Sequence, residues 1–185
     1  MAKLIYVSNV SLDGCTEDNR GAFDWAALDD EVFAFATELV RSVGTLIYGR
    51  RMYETMAVWE TDPTLADRSD LMADFATAWL AADKIVYSTT LATVSTAKTR
   101  LERHFDPGAV RDLKAAARTD LMVGGPNLAS QALQAGLVDE CHLLVWPLLL
   151  GGSKPALATD TRSDLVLLDE RRFANGVVYL RYRPL

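Results

Sequence analysis

An α/β fold with a largely parallel sheet is predicted by three features of the chain. β-branched and aliphatic runs alternate with stretches of helical periodicity over most of its length, and the last strands follow one another without an intervening helix. Half of the 185 residues are apolar, enough to bury a core around such a sheet. The consecutive strands near the C-terminal end predict an antiparallel hairpin at one edge.

Residues 3–8 form the first predicted strand. A core-facing helix follows over 30–43, where Val32, Phe33, Phe35, Ala36, Leu39, Val40 and Val43 recur near helical spacing, with Asp29 or Asp30 as its cap. The second strand, 45–48, runs into a helix over 51–57, and a further helix over 66–80 leads to a strand at 84–88. Helix 111–118, strand 120–123 and helix 127–135 come next, the last closed by Gly136. Strands at 140–149, 164–168 and 177–182 complete a sheet of at least seven, with the hairpin turn at 172–176. Residues 60–70 and 89–108 are the least structured and are candidate lids or substrate loops. Without repeat, low-complexity segment or linker, residues 1–185 read as one domain.

Leu121-Met-Val-Gly-Gly-Pro-Asn-Leu128 is the most informative stretch. A buried strand enters a glycine turn and leaves as a helix, so the free N–H groups of the turn and the helix dipole attract an anion. Gly124 and Gly125 let a ligand approach the backbone, Pro126 suits the first helical turn, and Asn127 caps the helix or contacts ligand beside Leu128. A dinucleotide pyrophosphate is the candidate anion. The same Gly-Gly-Pro is also ordinary punctuation between a strand and a helix. Gly49-Arg50-Arg51 lies at another strand-to-helix turn, where a guanidinium pairs bidentately with phosphate or is a solvated helix-start charge. Trp25 and Trp59 either wall a pocket for a flat heterocycle or pack in the core. Lys154 and Arg20 are candidate anchors for a substrate phosphate.

Nineteen Lys and Arg against 25 Asp and Glu give a formal net charge of −6 with no basic stripe, which argues against a nucleic-acid partner. The start reads as a strand and not as a signal peptide, and no apolar stretch approaches membrane-spanning length. Cys15 and Cys141 are too few for a disulfide framework, so a cytoplasmic location is expected. They and the separated His104 and His142 have no metal-ligand spacing, and no metal is expected. The zinc-deaminase signature H-x-E with P-C-x-x-C, the phosphate loop G-x-x-x-x-G-K-[ST], the nucleophile elbow G-x-S-x-G and the G-x-G-x-x-G fingerprint are all missing.

Four segments recur in a recognisable order: Ser11-Leu-Asp-Gly14, Tyr48-Gly-Arg-Arg-Met-Tyr-Glu54, Lys84-Ile-Val-Tyr-Ser-Thr-Thr-Leu91, and the Gly-Gly-Pro segment ending in Leu137-Val-Asp-Glu140. With Pro147-Leu-Leu-Leu-Gly-Gly152 and the closing Asn175-Gly-Val-Val-Tyr-Leu-Arg-Tyr-Arg-Pro184, the chain resembles the reductase domain of bifunctional riboflavin-biosynthesis deaminase-reductases and their stand-alone dihydrofolate-reductase-like relatives. The resemblance implies a dihydrofolate-reductase-like mixed, mostly parallel sheet flanked by helices, the reductase without its deaminase, and a homodimer. It implies NADPH bound across the C-terminal ends of the strands and hydride transfer to a pyrimidine, pterin-like or carbonyl/imine substrate.

By the same resemblance Gly49 and Arg50, with Arg51 second, hold the adenosine 2′-phosphate, and Ser88, Thr89 and Thr90 meet the ribose and phosphate. Thr89 stands where many such proteins carry Arg, which leaves NADH open beside NADPH. The loop bearing Asp13 would lie over the nicotinamide, where a carboxylate of raised pKa relays a proton. Asp13-Gly14 is equally a common turn pair. Two competing readings stay open: a non-catalytic nucleotide-binding dimeric sensor on this fold, and a protein that uses residues 145–150 only for self-association.

Overall fold

The computed structural model describes residues 1–26, 29–152, 154–157 and 162–185. One eight-stranded sheet organises the chain. Its strands are β1 (Leu4–Ser11), β3 (Val43–Gly49), β4 (Asp83–Tyr87), β5 (Thr99–Glu102), β6 (Asp120–Gly124), β7 (Glu140–Trp146), β9 (Leu165–Arg172) and β10 (Val178–Pro184). They lie in the order β5-β4-β3-β6-β1-β7-β10-β9. The first six are mutually parallel, while β10 runs antiparallel to both β7 and β9. This is the mostly parallel sheet with an antiparallel C-terminal pair that the sequence predicts. Two short strands, β2 (Cys15–Glu17) and β8 (Lys154–Pro155), form a separate ribbon beyond the sheet.

The period-2 alternation of side chains assigns each central strand to two cores. Leu4, Tyr6, Ile47, Ile85, Leu121 and Val123 face α5 (Pro107–Ala116) and α6 (Pro126–Gln134). Ile5, Leu46, Tyr48, Val86 and Met122 face α1 (Asp30–Arg41), α2 (Arg50–Met56) and α4 (Asp70–Ala81). Strands buried on both faces require the near-continuous apolar runs seen at 121–123 and 141–146.

Helix boundaries follow side-chain caps. Asp29 accepts from Val32 N at 3.1 Å and Ser69 from Met72 N at 3.2 Å. Asp106 accepts from Gly108 N at 2.8 Å, with Pro107 in the first helical position. Each such cap satisfies a backbone donor that the helix leaves unpaired, a contribution of about 1 kcal/mol. The predicted helix over 66–80 is in fact a 3₁₀ turn, Pro63–Arg68, followed by α4, because Ser69 starts the helix anew. α3 (Val58–Thr61) joins this segment to α2, so residues 60–70 are mostly helical.

Residues 89–108, a candidate lid in the sequence, hold β5 and are fastened down. Tyr53 Oη accepts from Ser95 N at 2.7 Å, and the Arg103 guanidinium donates to the carbonyls of Ser88, Leu91 and Ala92. The predicted strand 140–149 stops at Trp146, before Pro147. β7 is paired on both edges, by β1 and β10, and residues 147–150 lie beyond its end. The hairpin closes where expected, Phe173 N donating to Val177 O and Gly176 taking a φ of +89°.

Buried charges are answered locally. Lys84, 1% exposed, donates to the carbonyls of Trp79, in the last turn of α4, and of Ala82, its C-cap, and lies 4.2 Å from the Trp79 ring centre. Burial holds its pKa below the usual lysine value. Glu140 links Lys3 at 2.7 Å to His142 at 3.0 Å, and the other His142 nitrogen faces Tyr179 Oη at 3.0 Å. Nε2–H donating to Glu140 and Nδ1 accepting from Tyr179 describe a neutral imidazole.

Burial, reinforced by nearby Lys3 and Arg181, holds the His142 pKa below its ordinary 6.5 despite Glu140. The unfolded chain therefore binds the proton first, and stability is full above pH 6.5 and falls as pH drops through the folded pKa. Chemical denaturation at pH 7, 6 and 5 should show this decline, and His142→Gln should flatten it. A variant that retains the full slope would remove His142 as its origin.

Candidate active site

A cleft of about 460 Å³ opens at the carboxyl ends of β1, β3 and β6. In α/β sheets ligands bind at this edge, where neighbouring connections leave in different directions. Here β3 is followed by α2 and β6 by α6, while β1 leads to the β2 ribbon. The cleft extends inward between the sheet and the helices on one face. Val7, Met122 and Leu144 form its floor, and Ala36, Val40, Met52, Met56 and Phe75 its roof.

Gly49, Arg50, Arg51, Gly124, Gly125, Pro126, Asn127, Leu128 and Trp25 all line this cleft, so the structure gathers most of the sequence-derived candidates in one place. The two central glycines have different reasons to be there. Gly125 takes φ +93°, a conformation that side chains disfavour. At Gly124 an added Cβ would lie 3.0 Å from Tyr48 Cε1, so the missing side chain lets the Tyr48 ring close against β6, while the residue also lines the cleft. The helix α6 then starts at Pro126 with no side-chain cap. Its first intrahelical bond is Ala129 N to Gly125 O, which leaves the Asn127 and Leu128 amides ahead of the ladder at the cleft, an arrangement that favours an anion.

Arg50 sits at the outer rim. Its guanidinium donates to Glu54 Oε1 at 2.8 Å and Thr90 Oγ1 at 3.0 Å. Ser88 and Thr89 are outside the cleft lining. Ser88 Oγ accepts from Thr90 N and Leu91 N, so it shapes the turn that carries Thr90 to Arg50. Arg51 faces the other way. It pairs with Glu17 at 3.0 Å, donates to Gly21 O at 3.0 Å and lies 5.8 Å from the Phe23 ring centre. Lys154 reaches the same carboxylate at 3.4 Å. Arg51 is thereby a latch that holds residues 17–23 over the cleft mouth while itself lining the cleft.

Asp13 and Trp59 have structural surroundings. Asp13 is exposed, outside the cleft lining, and accepts from Ser11 Oγ, Leu150 N at 3.1 Å and Gly151 N at 2.8 Å. These bonds stabilise the carboxylate and hold its pKa below the usual aspartate value, opposite to what a proton relay needs. Trp59 packs on Phe75 with ring centres 4.6 Å apart and on Phe33 at 6.1 Å, within the core beneath α4. Trp25 keeps a place at the cleft, held by Nε1 donating to Thr16 O and by an edge contact with Trp146. Arg20 lies outside the lining and Lys154 within it.

Sequence reasoning missed Asn9, Glu17, Phe23 and the methionines. Asn9 shares the strand alternation of Ile5 and Val7, and Met52 and Met56 have i, i+4 spacing on α2, signals that could have placed them. Glu17 had no such signal, because its partners are 34 and 137 residues away. Among the described residues no group of three His, Cys, Asp or Glu side chains could hold a metal ion, and no helix is long and apolar enough to cross a membrane.

The profile of the RibD C-terminal domain matches residues 2–179. YyaP of Bacillus subtilis (strain 168), an uncharacterized protein, is 25% identical over 174 residues, covering 94% of this chain and 90% of that protein. A candidate riboflavin biosynthesis protein from Shewanella sp. PV-4 superposes with a TM-score of 0.75 at 22% identity, over 100% of this chain and 99% of that one. A Thermotoga maritima diaminohydroxyphosphoribosylaminopyrimidine deaminase/5-amino-6-(5-phosphoribosylamino)uracil reductase superposes with a TM-score of 0.67 at 14% identity, over 100% of this chain and 57% of that one. At these identities the structures establish a shared dihydrofolate-reductase-like fold.

Removing the Arg51 guanidinium should free the strap over the cleft. Hydrogen exchange in Arg51→Ala should accelerate at Ala22 N, which donates to Asp18, and at Gly21 N, while the β6 amides stay protected. Unchanged exchange at both positions would show that the strap holds without this latch. Gly125→Ala should cost about 1 kcal/mol or more in denaturant melts, since alanine is strained at φ +93°.

Proposed function

This chain belongs to the RibD C-terminal domain family, a reductase family with the dihydrofolate-reductase-like fold, and from that membership we propose that it is an NADPH-dependent reductase of a small heterocyclic or carbonyl/imine-bearing compound. The observation that carries the proposal is the uncapped N-terminus of α6 behind Gly125, opening into a mainly apolar cleft with Arg50 at its rim.

These residues fit a dinucleotide. Amides at the start of α6 suit the pyrophosphate, and Arg50 suits the 2′-phosphate that distinguishes NADPH from NADH. Bound NADPH supplies a hydride. The apolar chamber beyond the glycine turn would order the acceptor and exclude water, which strengthens each polar contact within it. Trp25 provides a flat wall for a ring. Glu17 serves as counter-ion to Arg51 and Lys154, and Asp13 braces the loop at 150–151.

A second reading, a nucleotide-binding sensor without turnover, draws support from one observation. Among the described residues lining the cleft, the only carboxylate is Glu17, and it is held between two cations. In either case we propose a homodimer in the cytoplasm. The exposed Leu165, Leu167 and Leu168 on edge strand β9 support a second copy as partner, and two buried free cysteines support a reducing compartment.

Parallel titrations with NADPH and NADH, read by tryptophan quenching, test the proposal. Saturable NADPH binding is expected, weakened about tenfold by Arg50→Ala, with a smaller loss for NADH. Failure of the folded protein to bind either nucleotide would overturn both readings. Binding without NADPH consumption across a set of pyrimidines, pterins and small carbonyl compounds would favour the sensor.

A further inference from the structure

Resting on the reductase reading for the place of the cofactor, we propose that Asn9 is a specificity-determining donor that selects, for the apolar chamber, an uncharged planar heterocycle bearing a carbonyl or ring-nitrogen acceptor. Asn9 lines the cleft and is fixed from behind, Trp146 Nε1 donating to its Oδ1 at 3.0 Å. An indole N–H only donates, so this bond also settles the orientation of the carboxamide. The amide nitrogen Nδ2 must be the other atom, and it makes no hydrogen bond among the described residues.

Four other uncharged side-chain donors nearby are already committed, and Tyr48, whose hydroxyl accepts from Trp79 Nε1, is buried. Ser8 Oγ donates to Asn9 O, Thr16 Oγ1 to Lys154 O, Trp25 Nε1 to Thr16 O and Thr55 Oγ1 to Arg51 O. Asn127, the other amide of the lining, belongs to the glycine turn. A ligand that fills the chamber without an acceptor desolvates Nδ2 and leaves it unpaired, whereas a ring carbonyl or nitrogen satisfies it.

Charge works in the same direction. Glu17 engages Arg51 at 3.0 Å and Lys154 at 3.4 Å, so a phosphorylated ligand competes with this carboxylate for both cations. Breaking those pairs offsets part of what the phosphate gains, an exchange that a neutral ring does not need. The selectivity thus combines an attractive donor inside with a guarded mouth.

Titration calorimetry with quinazolin-4-one, naphthalene and uridine 5′-monophosphate tests the assignment in the wild type and in Asn9→Asp. The aspartate keeps an acceptor for Trp146 and removes the amide donor. Wild-type protein should prefer quinazolin-4-one to naphthalene by about tenfold or more, and Asn9→Asp should bind quinazolin-4-one about tenfold more weakly. Naphthalene should not distinguish the two proteins, and uridine 5′-monophosphate should bind more weakly than quinazolin-4-one. Equal binding of quinazolin-4-one by both proteins, no binding by the wild type, or tighter binding of the phosphorylated probe overturns the proposal. The wild-type comparison of the two rings decides even where the variant fails to fold. NADPH titrations run alongside should be equal in the two proteins. Loss of NADPH binding from both, with ring selectivity intact, would sink the reductase reading and leave the Asn9 assignment standing.

Discussion

The insertion of β6 between β3 and β1 is the constraint on which the cleft depends. The chain builds outward from β1 through β3 and β4 to β5, then returns to place β6 in the gap. A strand paired on both edges and buried on both faces has no freedom of register, since a slip of one residue would turn Leu121 and Val123 from one core into the other. The end of β6 is therefore fixed relative to β1 and β3. Gly124 lets Tyr48 close against it, Gly125 turns the chain, and α6 starts at a set place and angle.

A second, weaker system surrounds the cleft mouth. The β2–β8 ribbon is short, with a register shift between Cys15 and Glu17, and does not join the main sheet. Its position relies on side chains: Glu17 between Arg51 and Lys154, Asp13 on the amides of Leu150 and Gly151, and Tyr6 Oη on Ala156 O. Partly exposed ion pairs of this kind contribute little individually. Here three charges share one point, and Arg51 adds a backbone carbonyl, so geometry is held by their combination.

Much of the sheet was legible because its strands are long apolar runs bounded by turn residues. β2, β5 and β8 were not, since two to four residues carry too little pattern to identify a strand. The glycine turn was legible as a strand-to-helix junction, yet the close contact of Gly124 with Tyr48 was not, since only the register of β3 against β6 brings the ring beside it. The pairing of Arg51 with Glu17 was not legible, because a cation at a helix start looks the same whether its partner is a ligand or a distant carboxylate. The tryptophans were alike in sequence, and only packing separated Trp25 at the cleft from Trp59 beneath α4.

The two halves of the cleft are made of different material. Around the glycine turn the groups offered to the proposed nucleotide belong to the backbone, which substitution leaves chemically unaltered as long as the turn survives. In the chamber they belong to side chains, with Met52, Met56 and Met122 supplying unbranched and easily reshaped walls. Exchanges in that half can redraw the binding shape without disturbing the nucleotide half. On the proposed reductase reading, the architecture makes the acceptor evolvable while keeping the donor constant, and lineages sharing this scaffold can diverge in what they reduce well before they diverge in what does the reducing.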